Sequence, residues 1–176
     1  MLPPATALSG LNGTIWITYA ANFLGMTEHV YDMAKEYVIQ RTRMDKPLGT
    51  FQAVAHAVAN AKVNIEAMRG LILNAIDNVT TGNANPVLCF GAKVYCHQTA
   101  MKTIESLLEL WGGVGVTEEA GVARYMRDAI AAGPGEYPTS ALLDIIAQKE
   151  GLPVETQLDF VHWSDVEYEG YNQPQE

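Results

Sequence analysis

Glu136 lies in Gly133-Pro134-Gly135-Glu136-Tyr137-Pro138, a glycine- and proline-rich stretch between two helical segments. A carboxylate held there projects from a stiff backbone, and apolar surroundings would raise its pKa toward the range of a general base. A solvated loop glutamate is the plainer reading of the same residues. A second candidate is Gly112-Gly113-Val114-Gly115. A dinucleotide fingerprint needs a strand before its glycines and a helix after them. Here a helical pattern precedes them, so they read first as a helix cap and tight turn, and only second as a cradle for a ligand.

Other chemistries are excluded by residue type or spacing. His29, His56, His97 and His162 all lack a glutamate three residues earlier, so the Glu-x-x-His pairs of a di-iron bundle are missing. His97 falls on an apolar stripe and reads as a core histidine. Cys89 and Cys96 are seven residues apart, roughly 10 Å on a helix, which is too far for a disulfide. They have no zinc-like pairing either, and read as reduced, buried thiols of a cytoplasmic protein. There is no P-loop, Gly-x-Ser-x-Gly elbow or Cys/His pair at catalytic spacing, which argues against an independent hydrolase or NTPase.

The elements that must hold these residues are helical. Trp16, Tyr19, Phe23, Met26, Val30, Met33 and Tyr37 alternate steps of three and four, which predicts one long helix. Lys46-Pro47-Leu48-Gly49-Thr50 marks a turn. Val54, Val58, Ala61, Ile65, Met68, Ile72, Ala75 and Val79 predict a second helix ending near Thr80. A third carries Val87, Phe90, Val94, His97, Met101, Ile104, Leu108 and Trp111 up to Gly112-Gly113. A short helix at about 118–131 follows, then a last one at about 139–148 with Thr139 or Ser140 as its N-cap. No β-type alternation of useful length is present. The expected fold is all-α, an antiparallel up-down four-helix bundle over residues 1–151.

The chain has 176 residues, enough for one core, with 48% hydrophobic and 18% charged residues. Twenty acids against eleven bases, a net charge of −9, leave no broad basic surface for nucleic-acid phosphates or anionic lipid. No apolar run approaches the roughly 20 residues that span a bilayer, and Met1-Leu2-Pro3-Pro4 lacks the basic start of a signal peptide. Residues 152–176 differ from the rest. Six acids mix there with Phe160, Trp163, Tyr168 and Tyr171, a tail expected to be partly docked or disordered.

Three segments together resemble the C-terminal domain of acyl-CoA dehydrogenases, over about residues 11–148. Arg41-Thr42-Arg43-Met44-Asp45-Lys46-Pro47-Leu48-Gly49-Thr50-Phe51-Gln52 is similar to the family's Arg-x-x-Phe-Gly-x-Pro segment with its following Gln. Glu109-Leu110-Trp111-Gly112-Gly113-Val114-Gly115 resembles its Gln-x-x-Gly-Gly-x-Gly turn, and Arg127-Asp128-Ala129 its Arg-Asp-Ala helix. The resemblance implies that Arg41, Gln52, Gly112 and Gly113 help hold FAD shared with a neighbouring chain. An arginine fork suits the pyrophosphate. It also places Glu136 in register with the family's catalytic base, implying removal of the α-proton of an acyl-CoA thioester to give a 2-enoyl-CoA.

The sequence departs from the pattern at several points. Met44 and Asp45 stand for Phe and Gly, Glu109 for Gln, and Tyr137-Pro138 for Gly-Thr. The family's N-terminal helical and middle β domains have no counterpart here. The expectation is therefore a small subunit, rather than a fragment, completed by a larger chain in a hetero-oligomer of dimer-of-dimers type, with electron-transfer flavoprotein as candidate acceptor. Two alternatives stay open: a non-catalytic assembly subunit, and a flavin monooxygenase of the same superfamily.

Overall fold

The structure, a computed structural model, describes the backbone of residues 4–81, 85–135 and 137–154, and the side chains of those ranges apart from 4–12 and 86. The expected helices are present as α1 (Pro4–Gln40), α2 (Gln52–Thr80), α3 (Pro86–Leu108), α4 (Ala123–Ala132) and α5 (Thr139–Lys149). Contacts between them fix their directions. Gly13 faces Val79 and Cys89, Glu28 pairs with Arg69, and Gly49 abuts Val38, so α2 runs antiparallel to α1. Trp16 meets Phe90, Phe23 meets His97 and Tyr37 meets Trp111, so α3 runs parallel to α1. The connections are short because each helix returns beside the last. The third helix starts cleanly: Asn85 accepts a hydrogen bond from the Val87 N–H at 2.9 Å, and Pro86 occupies the first turn, where its missing N–H costs nothing.

The core lies among α1, α2 and α3, and its largest fully buried apolar members on these helices are Phe23, Ile65, Met68, Ile104 and Leu107, with Trp16 almost as deeply buried. Burying each contributes about 1.5–3 kcal/mol. On α2 the buried positions Ala61, Ile65, Met68, Ile72 and Ala75 follow the predicted stripe. On α1 the most buried line is Ala20, Phe23, Thr27, Val30, Ala34 and Val38, which shares Phe23 and Val30 with the predicted stripe and elsewhere lies one residue round from it. Small residues there let the helices approach, and the Thr27 hydroxyl is satisfied by the Phe23 carbonyl at 2.8 Å. Helix α3 touches α1, α2, α4 and α5, so it is buried on more than one face.

Four local expectations are corrected. A two-stranded hairpin, β1 (Thr42–Arg43) with β2 (Lys46–Pro47), follows α1, turning at Met44 and Asp45 with φ of 52° and 60°. The third helix ends at Leu108, and Trp111 sits in a 3-10 segment, Glu109–Val116, broken at Gly112. The predicted helix near 118 divides at Gly121 into a 3-10 turn, Glu118–Ala120, and α4. The N-cap of α5 is Pro138, because the Thr139 hydroxyl is engaged by His97 at 3.1 Å. Beyond α5 the chain folds back, with the Leu152 N–H on the Ala147 carbonyl and the Gln148 amide on the Val154 carbonyl. The tail from 155 to 176 lies outside the described residues.

Candidate functional site

At one end of the bundle, the C-terminus of α1, the small hairpin and the segment after α3 enclose a cavity of about 280 Å³. Arg41, Arg43, Glu109 and Gly112 line it, beside Tyr37 stacked on Trp111 with centroids 4.9 Å apart. The structure thus brings together Arg41 and Gly112, which are distant in sequence, and puts Glu109 in the same lining. Two guanidinium groups oppose one carboxylate, so a positive balance remains for an anionic ligand. Arg41 is held by its backbone: its N–H donates to the Tyr37 carbonyl and its carbonyl accepts from the Leu48 N–H. Gln52, the first residue of α2, is exposed and does not line the cavity.

The glycines here have separate reasons. Gly112 has φ 60° and ψ −145°, a region open essentially to glycine alone. At Gly115 a Cβ would sit 2.7 Å from the Leu108 carbonyl, so close packing demands glycine. Gly113 is exposed, has no positive φ, and a Cβ there would meet nothing within 4 Å. Nothing among the described residues requires glycine at 113, which fits close approach by another molecule.

The second constellation surrounds the Gly133–Pro138 hairpin. Glu136 itself lies outside the described residues, but its neighbours are described. Lys93, which sequence reasoning missed, is fully buried on α3 and donates to the carbonyl oxygens of Gly135 and Tyr137. Its ammonium also lies 5.1 Å from the centroid of the Trp16 ring and 4.8 Å from that of Tyr19. Tyr137 is half-buried and tilts against Trp16 at 5.6 Å, so its bulk is taken up by the protein. The Trp16 indole N–H is buried without a hydrogen-bond acceptor, an unusual feature at the edge of a core. The available sequence signal for Lys93 was a lysine inside Gly91-Ala92-Lys93-Val94-Tyr95-Cys96 with no acid three or four residues away on the helix.

His97 braces the other side of the hairpin. Burial pushes its pKa down, the Lys93 charge adds to that, and a hydrogen bond to the Ala129 carbonyl opposes both. The neutral ring thus donates to Ala129, while Nδ1 accepts from the Thr139 hydroxyl, joining α3 to the end of α4 and the start of α5. Cys89 and Cys96 are free and buried. Burial raises both thiols, Cys96 to about 12, so neither is a nucleophile. Among the described residues no group of three His, Cys, Asp or Glu is placed to hold a metal, and no helix is long and apolar enough to cross a membrane.

Residues 15–150 match the family described as acyl-CoA dehydrogenase, C-terminal domain. The chain belongs to the acyl-CoA dehydrogenase family. It is 33% identical over 144 residues to a probable short/branched chain specific acyl-CoA dehydrogenase of Dictyostelium discoideum, a match covering 81% of this chain and 34% of that protein. Its fold superposes on butyryl-CoA dehydrogenase from Megasphaera elsdenii with a TM-score of 0.77 and 30% identity, covering 82% of this chain and 38% of the other. A chain in a structure of the electron transferring flavoprotein of Acidaminococcus fermentans is similar at TM-score 0.73 and 26% identity, covering 79% and 36%. The chain therefore spans about a third of the length of the curated relative it matches. What it shares with acyl-CoA dehydrogenases is the helical C-terminal domain, and a complete member of the family needs other domains besides.

Acyl-CoA dehydrogenases use FAD. The arginine-lined cavity and the open backbone at Gly112-Gly113 fit an anionic, nucleotide-containing group, with Arg43 offsetting the charge that Glu109 introduces.

Proposed function

We propose that this chain is the helical portion of an FAD-dependent acyl-CoA dehydrogenase that oxidises an acyl-CoA thioester to the 2-enoyl-CoA. The observation that carries this is the hairpin that bears Glu136. Its backbone at Gly135 and Tyr137 accepts hydrogen bonds from Lys93, and Gly133 and Gly135 pack against His97 and Tyr19, which supports a hairpin of fixed position, as suits a base that must meet a substrate at a set place. Glu136 takes the α-proton. FAD, when bound, supplies the two-electron acceptor that removes the β-hydrogen as hydride. At the other end of the bundle Arg41, with Gly112 and Gly113 and with Gln52 from the start of α2, helps hold an FAD bound mainly by a neighbouring chain, a different flavin from the one that Glu136 faces.

A neighbouring chain supplies the N-terminal helical and middle β domains and shares the FAD, in a hetero-oligomer working in the cytoplasm and passing electrons to electron-transfer flavoprotein. An apolar groove between α1 and α2 of about 680 Å³, with Val63 and Ile39 largely exposed beside it, supports burial of this face in an assembly. Glu109 in the cavity lining favours the second reading, a non-catalytic assembly subunit, since an acid there weakens attraction for a pyrophosphate.

The experiment is purification of the complete assembly with bound FAD, followed by Glu136→Gln. Acyl-CoA-dependent bleaching of the flavin is expected to disappear while the complex stays intact. Bleaching at the unaltered rate removes Glu136 from the reaction and leaves the assembly role.

A further inference from the structure

Glu109 is an acid in the wall of a cavity otherwise suited to anions. Arg41 and Arg43 line the same cavity, and all three residues are exposed to what enters it. Among the described residues none of the three side chains is in an ion pair. The acid is also unfavourably placed within its own helix. Glu109 caps the C-terminal end of α3, whose last turn holds no base, and the chain runs on in helical geometry until Gly112 breaks it. Its carboxylate thus adds charge at the negative end of the helix dipole.

A carboxylate beside two guanidinium groups, and paired with neither, is available to a ligand as an acceptor. The donors that a phosphorylated ligand offers are sugar hydroxyls and base amines, and a vicinal diol sets two O–H groups against the two oxygens of one carboxylate. Dinucleotide sites of other folds use an acid in this way, taking an unmodified ribose where an arginine is needed for a phosphorylated one. At about 280 Å³ the cavity falls below the roughly 300–1,000 Å³ of pockets that enclose a whole ligand, so it takes one part of a larger molecule.

We propose that Glu109 is a specificity residue of this cavity. Arg41 and Arg43 bind the diphosphate of a nucleotide, while Glu109 accepts hydrogen bonds from its free ribose diol and repels a nucleotide whose ribose carries a phosphate. The proposal rests on the reading of this cavity as part of an FAD site, and it gives the acid a use there. An acyl-CoA dehydrogenase meets two adenosine diphosphates, FAD with an unmodified adenosine ribose and acyl-CoA with a phosphate on that sugar. Arginines alone attract both, and attract the more highly charged one better.

The test uses the complete assembly after removal of FAD, and follows rebinding of FAD by its fluorescence in competition with two probes. One is ADP, and the other is ADP carrying a further phosphate on the ribose 3′-oxygen. In the wild type ADP is expected to compete at least about tenfold better at low salt, with the ratio shrinking as KCl is raised. Glu109→Gln keeps one acceptor but removes the charge, and is expected to bring the two probes within about threefold of each other. Arg43→Gln is expected to weaken both probes by similar factors and so preserve their ratio. A ratio that survives Glu109→Gln, or that Arg43→Gln abolishes equally, overturns this inference while the FAD site stands. So does a wild type that does not distinguish the probes, a result that needs no variant to fold. Failure of Glu109→Gln to assemble also overturns it, because Glu109 is then a contact with the neighbouring chain. FAD rebinding that is unaffected by Arg41→Gln overturns the placement of the cofactor in this cavity, and this inference with it.

Discussion

Gly133 and His97 are in contact so close that a Cβ at 133 would lie 2.5 Å from the imidazole Cε1. The ring cannot retreat freely, because Phe23 lies 5.0 Å from its centroid and Thr139 holds Nδ1. Gly133 has φ −56° and ψ −50°, helical values at which alanine is ordinarily preferred to glycine by about 1 kcal/mol. Overpacking costs about 1–3 kcal/mol, so the steric effect wins. Gly133→Ala is expected to lower Tm by several degrees in thermal unfolding, and an unchanged or higher Tm would show that the ring moves aside without penalty.

His97 also makes stability depend on pH. Its pKa is lowered in the folded protein, chiefly by burial, so below about pH 6.5 the unfolded chain binds a proton that the folded one does not. Its contribution is complete above the unfolded value and is lost as pH falls toward the folded one. Urea unfolding measured between pH 7.5 and 5 is expected to show stability falling with acidification, and His97→Gln is expected to flatten that slope. An equal slope in the variant would assign the effect to other groups.

Neighbouring glycines at the cavity separate folding from binding. Gly112→Ala forces a side chain into φ 60°, ψ −145°, and is expected to cost on the order of 1–3 kcal/mol in denaturant unfolding. Gly113→Ala meets nothing within 4 Å and is expected to leave stability within about 0.5 kcal/mol. In the complete assembly the same Gly113→Ala is expected to weaken FAD retention during gel filtration. Full retention would show that no ligand approaches that backbone.

The turn between β1 and β2 is strained by its own residues. Met44 and Asp45 both have positive φ, the conformation of a type I′ hairpin, for which Asn-Gly is favoured. Met44 is 75% exposed, so replacing it sacrifices little burial. Met44→Asn combined with Asp45→Gly is expected to raise stability by about 1 kcal/mol, seen as a higher urea midpoint at constant m. No shift would mean that the turn frays independently of the bundle.

The helices were legible because α1 and α2 each place one face against neighbours, and a one-sided helix writes its burial as a three-four rhythm. Ile65, Met68 and Ile72 show it directly. Where burial depends on several neighbours the rhythm fails. Helix α3 is packed against all four other helices, so Cys89, Ala92, Cys96 and Ala100 are interior although a single stripe through Phe90 and Val94 omits them. Ala20 and Ala34 were missed for a related reason: small side chains carry a weak hydrophobic signal, yet they sit where helix axes come nearest.

The candidate site divides in the same way. Arg41 and Gly112 could be expected together from sequence because motif spacing along the chain survives without coordinates, and helix order already dictates that residues 41 and 112 share one end of a parallel pair, α1 and α3. Lys93 could not, since a lysine is solvated by default and only packing decides otherwise. Its burial beneath the hairpin, and the different demands on Gly112, Gly113 and Gly115, depend on carbonyls and rings brought from elsewhere in the chain. Periodicity records which side of a helix avoids water, but the polar partner that makes a buried charge tolerable is a long-range contact, and such contacts exist only once the chain has folded.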